Sequence, residues 1–251
     1  MFWFLFYFFI LLYQTLGFWS ICLMWGFLYI SLMKLPAIIV NFKNYEQATG
    51  QAALALAKIH EKVAKETGAS IGIAVSSLDL ALIAASVDIP VFAQHIDPVG
   101  YGSHTGHLSA EQVFEAGAYG TLLNHAEYPL EDMTLMKSIV KAREQGLYVV
   151  VCANTPERGK EIMKMNPDLI AVEPPELIGG DISVSKAGPQ IIEEAVGMVG
   201  ENRLLVGAGI KDPEDVQIAI SLGACGVLLA SGVVRADDPY SVLIGLVTGL
   251  E

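Results

Sequence analysis

Three polar side chains stand at the ends of apolar runs in this sequence. Glu173 ends the run LIAVE, His125 ends GTLLNH, and Lys43 ends AIIVNFK. A carboxylate can accept a proton, an imidazole can exchange one, and an ammonium group can stabilise negative charge. Polar groups at such places face a pocket and not a packed core. The three residues therefore predict one site of acid–base chemistry.

The elements that would position these residues repeat along the chain. Apolar, strand-like runs alternate with segments of helical period, separated by Gly, Pro, Asn or Asp. Nearly uniform apolar character is typical of parallel strands that are buried on both faces. The runs cover residues 37 to 43, 71 to 76, 91 to 97, 120 to 125, 148 to 154, 169 to 174, 204 to 209 and 226 to 231.

This alternation predicts an α/β fold, a closed (β/α)8 barrel with its active site at the C-terminal ends of the strands. The helix signals agree, since residues 129 to 146 begin with acids and end with bases and residues 212 to 224 open with Asp-Pro. An open, doubly wound sheet is the alternative. It would leave edge strands, and no strand here has the charge or proline that usually protects an edge.

The motifs VNFK, LLNHAE, EPPELIG, GAGI and LLASG together resemble triosephosphate isomerase in its short archaeal form. The resemblance extends from about Pro36 to Glu251 and implies a TIM barrel. It also implies interconversion of dihydroxyacetone phosphate and D-glyceraldehyde 3-phosphate through an enediol(ate), without a cofactor. By resemblance Glu173 is the base, His125 the electrophile that polarises the carbonyl, and Lys43 the residue that stabilises negative charge.

The resemblance also implies the residues that bind substrate. Asn41 and Lys43 lie two positions apart on one strand, so their side chains point to the same side. Phosphate would be held by loops after the sixth, seventh and eighth strands. These substrate-binding residues are Asn41, Lys43, Ile178, Gly179, Gly209, Ala230, Ser231 and Gly232. The loop departs from the family pattern at Gly180 and Asp181, and Gly207 is interpreted as a turn residue.

An acidic residue and a helix start next to His125 complete the expected site. Glu127 matches an acid that supports the family's site. A helix is expected to begin around Glu127 to Leu130, so that its N-terminus would keep His125 neutral.

No metal is expected. His95, Asp97, His104 and His107 lie near one another in sequence, but their spacing matches no common zinc pattern. Two other functions remain open: another phosphate-binding barrel enzyme, such as a pentulose-phosphate epimerase, and a membrane-tethered, non-catalytic scaffold.

Residues 1 to 33 differ from the rest of the chain. They contain no Asp, Glu, Lys or Arg, all three Trp and seven of the ten Phe. Roughly 20 apolar residues can cross a bilayer, so a membrane anchor is one interpretation. The other, favoured because the flanks lack the usual Lys/Arg asymmetry, is an extension upstream of a true start at Met33. The expected domains are this extension, 1 to 33, and a catalytic barrel, 34 to 251.

The charge and the cysteines restrict the partners. The chain has 15 basic and 27 acidic residues, a net charge of −12, which argues against nucleic acid. Three scattered cysteines indicate a reducing compartment, the cytoplasm. The segment from Pro98 to Ser109 resembles the family's loop that reaches into a neighbouring subunit. The archaeal forms that the chain resembles are tetramers, and the apolar sequence SVLIGLVTGL near the C-terminus could serve a second interface. The resemblance therefore implies a homotetramer, with a dimer as the alternative.

Overall fold

The computed structural model describes residues 33–177 and 183–250. Eight strands in this part of the chain pair in parallel, each with the next, and β1 also pairs with β8. The sheet is a closed barrel, as predicted, and the open-sheet alternative is wrong. The strands are β1 Ala37–Asn41, β2 Ser70–Val75, β3 Val91–Ala93, β4 Gly120–Leu123, β5 Tyr148–Ala153, β6 Leu169–Val172, β7 Leu204–Val206 and β8 Gly226–Leu229.

Helices follow the strands around the barrel. They are Gln51–Thr67, Leu80–Ala84, Ala110–Glu115, Asp132–Glu144, Pro156–Met163, Val184–Ala187, Pro189–Val199, Pro213–Ser221, Ser231–Val234 and Pro239–Thr248. Short 3-10 turns cover Glu46–Ala48 and Pro175–Leu177. The Asp-Pro signal is confirmed, because Asp212 caps the helix that begins at Pro213 and forms a capping box with Asp215.

Each strand ends earlier than its apolar run predicts. β1 stops at Asn41 because Lys43 has a left-handed φ of 47°, which an extended strand cannot include. β3 stops at Ala93, four residues before the predicted end at Asp97. The residues that carry chemistry therefore lie beyond the ladder, in loops over its C-terminal end.

The side chains of the strands alternate between two apolar layers. Ala37 and Ile39 belong to the cluster inside the barrel, while Ile38 and Val40 belong to the layer between strands and helices. Phe92 lies inside the barrel, and a Cβ at Gly120 would be only 2.8 Å from its ring. This period of two extends to Asn41, which is buried and on the same side as Ile39.

Among the described residues, no helix combines the length and apolar character that crossing a bilayer requires. Residues 1 to 32, and with them the interpretation of the apolar extension, lie outside the described part of the chain.

Candidate active site

A cleft of about 490 Å³, including space open to solvent, lies at the C-terminal ends of β1, β4, β6, β7 and β8. It brings together residues that are more than 100 positions apart in sequence. Its lining consists of Asn41, Lys43, Tyr45, His125, Glu173, Ala208, Gly209, Ile210, Lys211, Leu228, Leu229, Ala230, Ser231 and Gly232. The expected catalytic and substrate-binding residues that the structure describes are all in this set, and Glu127 is not. Ile178 and Gly179 lie outside the described residues, as do Gly180 and Asp181.

Glu173 follows β6 directly and is only 6% exposed. Burial raises the pKa of its carboxyl to about 7, against the opposing effects of a hydrogen bond from the Cys152 thiol and the charge of Lys43. Among the residues that the structure describes, none forms a hydrogen bond with the buried Oε2 atom. A carboxylate with these properties is a strong base for its type and has an oxygen available to accept a proton.

Glu173 has its place because Gly207, just after β7, has no side chain. A Cβ at Gly207 would lie 2.6 Å from Glu173 Oε1 and 2.8 Å from Cδ. Such distances are far below van der Waals contact. Gly207 therefore does more than form a turn, which corrects the expectation from sequence.

His125 is held by the loop after β4. The backbone N–H of Glu127 donates to His125 Nδ1 at 3.2 Å, so a neutral ring carries its proton on Nε2. Burial lowers the pKa of the imidazole, and the charge of Lys43 lowers it further, while Glu127 opposes them. Nε2 lies 3.7 Å from Glu173 Oε2, too far for a hydrogen bond. A small substrate atom could contact both groups.

The expectation that a helix N-terminus lies directly behind His125 is wrong. The next helix begins at Asp132 and not around Glu127 to Leu130, because residues 125 to 128 form a turn in which Tyr128 N–H donates to the His125 carbonyl. Asn124, with a φ of 58°, shapes this turn. Its side chain donates to the Cys152 carbonyl at 2.9 Å and accepts from Leu130 N–H at 2.9 Å.

Lys43 lies across the cleft in a strained backbone conformation. Its N–H donates to Asn41 Oδ1 at 3.0 Å, and its ammonium group pairs with Glu127 Oε1 at 2.7 Å. Gln94 Nε2 donates to the Lys43 carbonyl at 3.1 Å and to Asn41 Oδ1 at 3.2 Å. Gln94 thus fixes the loop after β1 from the end of β3.

The loops after β7 and β8 form the other side of the cleft. Ala208 and Gly209 both have left-handed φ values, 71° and 75°. Ser231 begins the short helix Ser231–Val234, whose first backbone N–H groups have no partner within the helix. These backbone groups suit a phosphate, because barrel enzymes commonly bind phosphate on the loops after strands seven and eight.

Sequence reasoning missed several residues of this region. Tyr45, Ile210 and Lys211 line the cleft, while Gln94 and Cys152 contact lining residues. Gln94 and Cys152 lie inside the predicted strands 91 to 97 and 148 to 154, so the strand-end pattern does not single them out. The observed strands end at Ala93 and Ala153, which places Gln94 just after a strand and Cys152 near the end of one. Lys211 follows the GAGI motif directly, so a search for cations beside the glycine-rich loops would have found it.

Within residues 33–177 and 183–250 there is no group of three or more His, Cys, Asp or Glu side chains that could hold a metal ion. His95 and Asp97 approach each other at 3.4 Å, and the rings of His104 and His107 are 6.0 Å apart.

The fold and the cleft define a (β/α)8-barrel enzyme with a buried carboxyl group of raised pKa beside a buried imidazole of lowered pKa. Comparison with known proteins gives the family. The family model described as triosephosphate isomerase matches residues 36–247. The chain belongs to the triosephosphate isomerase family.

Curated relatives and a solved structure agree with this assignment. The chain is 48% identical over 217 residues to the triosephosphate isomerase of Methanobacterium bryantii, covering 85% of this chain and 96% of the relative. It is also 48% identical to that of Archaeoglobus fulgidus, covering 85% of this chain and 98% of the relative. The crystal structure of triosephosphate isomerase from Bartonella henselae matches with a TM-score of 0.63 at 20% identity, covering 83% of this chain and 97% of that one. At this identity the crystal structure supports the fold alone.

Proposed function

We propose that this chain interconverts dihydroxyacetone phosphate and D-glyceraldehyde 3-phosphate through an enediol(ate). The observation that carries the proposal is the pairing in the cleft of a buried carboxylate of raised pKa, Glu173, with an imidazole whose Nε2 lies 3.7 Å from it. Membership of the triosephosphate isomerase family supports the substrate.

In the first step Glu173 takes a proton from the carbon next to the substrate carbonyl. The electron pair of that C–H bond moves into the new C=C bond, and the carbonyl oxygen gains negative charge. His125 donates a hydrogen bond from Nε2–H to this oxygen, and the nearby ammonium group of Lys43 stabilises the charge. His125 then carries a proton between the two enediol oxygens, and Glu173 returns its proton to the neighbouring carbon. The reaction is balanced without an oxidant or a reductant.

The phosphate would be bound mainly by backbone groups. Gly209, Ala230, Ser231 and Gly232 would bind it from the loops after β7 and β8, and Ile178 and Gly179 from the loop after β6. Asn41 orients Lys43 through the hydrogen bond from Lys43 N–H to its side-chain oxygen. Backbone N–H groups suit a phosphate because they approach closely and present positive partial charge.

The direct test is turnover of glyceraldehyde 3-phosphate by the full chain and by Glu173→Gln. We expect the variant to lose about 10²- to 10⁴-fold in kcat, the usual contribution of a general base, because the amide keeps the shape but accepts no proton. Circular dichroism should show the same fold. Equal rates would remove Glu173 from the mechanism, and a chain without turnover would favour the scaffold.

A chelator separates the isomerase from a metal-dependent epimerase. We expect full turnover after prolonged dialysis against EDTA, since the three side chains can move the proton and stabilise the charge. Loss of activity that added metal restores would contradict the proposal.

We also propose a cytoplasmic homotetramer, with a dimer as the other outcome. Asp97 closes the base of the loop after β3, since its carboxylate accepts Leu108 N–H at 2.7 Å and its own N–H donates to the Leu108 carbonyl at 2.8 Å. Tyr101 on this loop is 75% exposed, which supports docking into a neighbouring subunit. Membrane contact would require residues 1 to 33, and no nucleic acid partner is proposed.

A further inference from the structure

We propose that Asp215 is a positioning residue for recognition of the substrate phosphate, acting through the loop after β7. This inference rests on the proposed function, which assigns Gly209 of that loop to phosphate binding. Asp215 is not among the residues that line the cleft; it lies in the first turn of the helix Pro213–Ser221 and is only 2% exposed. A carboxylate buried so deeply needs hydrogen-bond donors for its oxygens. The donors that it uses show which parts of the chain it holds in place.

One carboxylate oxygen of Asp215 holds the backbone of the loop after β7. Oδ2 accepts the N–H of Lys211 at 2.9 Å and the N–H of Asp212 at 3.3 Å. The loop needs such support because Ala208 and Gly209 are both left-handed, with φ values of 71° and 75°. This conformation is costly for alanine, which carries a Cβ, and it persists only where surrounding contacts fix it. The hydrogen bonds to Asp215 fix the loop two residues beyond Gly209.

The other oxygen of Asp215 joins this loop to a different part of the chain. Oδ1 accepts the hydroxyl of Ser183 at 2.5 Å, and Ser183 caps the short helix Val184–Ala187. The Ser185 hydroxyl donates to the backbone carbonyl of Asp215 at 2.8 Å. The N–H of Val184 donates to the carbonyl of Ala208 at 3.2 Å. The loop after β7 is therefore held from two sides, and Asp215 takes part on both.

Helix capping explains only part of this arrangement. Asp212 and Asp215 form a capping box at the start of their helix. Such a box requires neither the hydroxyl of Ser183 nor the N–H of Lys211, so these two contacts serve the loop. The negative charge of Asp215 would by itself oppose a phosphate dianion, but Lys186 Nζ lies 3.4 Å from Oδ1 and offsets this charge.

The experiment removes the contacts of Asp215 separately. Asp215→Ala removes all contacts of the carboxylate, and Asp215→Asn keeps one acceptor oxygen for the loop. Ser183→Ala removes the hydroxyl and leaves the capping box of the helix Pro213–Ser221 in place. Asp238→Ala is the matched control, because Asp238 is the exposed N-cap of the helix Pro239–Thr248 and the change in charge is the same. Each protein is assayed with glyceraldehyde 3-phosphate and with D-glyceraldehyde, which lacks the phosphate, and inhibition by inorganic phosphate is measured.

We expect Asp215→Ala to raise KM for glyceraldehyde 3-phosphate and Ki for phosphate by about tenfold, as the loss of one hydrogen bond to a charged group does. Activity on D-glyceraldehyde should stay at the wild-type level. Asp215→Asn should restore most of the affinity, Ser183→Ala should raise KM by about threefold, and Asp238→Ala should behave like the wild type.

A purely structural role of Asp215 would lower activity on both substrates equally. An unchanged KM for glyceraldehyde 3-phosphate, or an equal loss on both substrates, would therefore overturn the proposal. If Asp215→Ala does not fold, Ser183→Ala decides by the same criteria, because it leaves the buried carboxylate and the capping box in place.

The outcome is distinguishable from failure of the proposed function. A wild-type chain that does not isomerise glyceraldehyde 3-phosphate contradicts the proposed function. Titration of the wild type, Asp215→Ala and Ser183→Ala with inorganic phosphate, followed by NMR of the Gly209 backbone amide, then tests the role of Asp215 by itself. Weaker phosphate binding by the variants would support this role. Equal affinity of all three proteins, or binding by none of them, would overturn it.

Discussion

The pKa of Glu173 connects the chemistry of this residue to the stability of the protein. The value of about 7, against 4.5 for an ordinary glutamate, means that the folded protein disfavours the ionised form. The same burial that raises the basicity of the Glu173 carboxylate therefore destabilises the fold whenever this group is ionised. A difference of this size corresponds to roughly 3 kcal/mol at pH values above both pKa values.

We predict that Glu173→Gln is more stable than the wild type and that the difference depends on pH. With a raised folded pKa, the contribution of Glu173 to stability is fully present below pH 4.5 and is lost as the pH rises through about 7. The variant should thus gain little at pH 5 and roughly 2 to 3 kcal/mol at pH 8. Urea unfolding at both pH values measures the difference in free energy of unfolding between the variant and the wild type. The exposed substitution Glu193→Gln is the control. A gain in stability of equal size at both pH values would contradict the raised pKa of Glu173.

His125 should be neutral, with its proton on Nε2, throughout the working pH range. The physical reason is twofold: burial lowers its pKa, and the Glu127 N–H donates to Nδ1. Nitrogen NMR of the ring, without ligand and with a substrate analogue, identifies the protonated atom. A doubly protonated ring in the analogue complex would refute the proposed electrophile.

At the scale of elements, apolar runs predicted the number and order of the strands but not their ends. A run such as AIIVNFK does not indicate that the backbone of Lys43 is left-handed. The Lys43 backbone is held by hydrogen bonds to the side chain of Asn41 and from the side chain of Gln94, which follows a different strand. The turn after His125 was mistaken for a helix start for a similar reason. Asn124 forms it through the Cys152 carbonyl on β5, a contact between residues 28 positions apart.

Site residues that stand out by their chemical type can be predicted from the sequence. A site residue that matters because it has no side chain cannot be predicted in this way. Glu173, His125 and Lys43 are unusual polar residues in apolar runs, so the sequence makes them visible. Gly207 is not visible in this way, because glycine is also common in tight turns. Only the folded chain brings its Cα against the Glu173 side chain.

We predict that Gly207→Ala lowers turnover while preserving the barrel. The new methyl group would displace the Glu173 side chain, since it would lie 2.6 Å from Oε1. A misplaced base commonly costs about 10²-fold in rate. Gly197→Ala is the matched control, because a Cβ there has no atom within 4 Å. Isomerase assays measure the turnover of both variants, and thermal melts measure their stability. Full activity of Gly207→Ala would contradict the steric argument.

At the scale of the whole molecule, the exposed apolar surface bears on assembly. Met133, Met136 and Val140 are 59%, 42% and 48% exposed and follow one face of the helix Asp132–Glu144. The C-terminal helix Pro239–Thr248, suggested by its apolar sequence SVLIGLVTGL as a second interface, packs its apolar side chains against the barrel instead. Exposed apolar patches of this kind mark contacts with other proteins.

We predict that Met133→Lys converts a tetramer into dimers, because a charge on this face cannot be buried against another apolar helix without a large cost. Light scattering gives the mass in solution. Gln217→Lys, which adds the same charge to an exposed position of another helix, should leave the mass unchanged. If Met133→Lys keeps the wild-type mass, this helix does not form the interface.

The backbone of Lys43 has a consequence for evolution in the laboratory. A side chain at a φ of 47° is held where glycine meets no steric penalty, at a cost of about 1 to 2 kcal/mol for other residues. A library of variants selected only for resistance to heat would therefore favour glycine at position 43. A selection in which cell growth depends on isomerase activity would retain lysine. Heat-selected survivors would be durable barrels without catalysis, so any search for a robust form of this enzyme has to select for turnover in the same round.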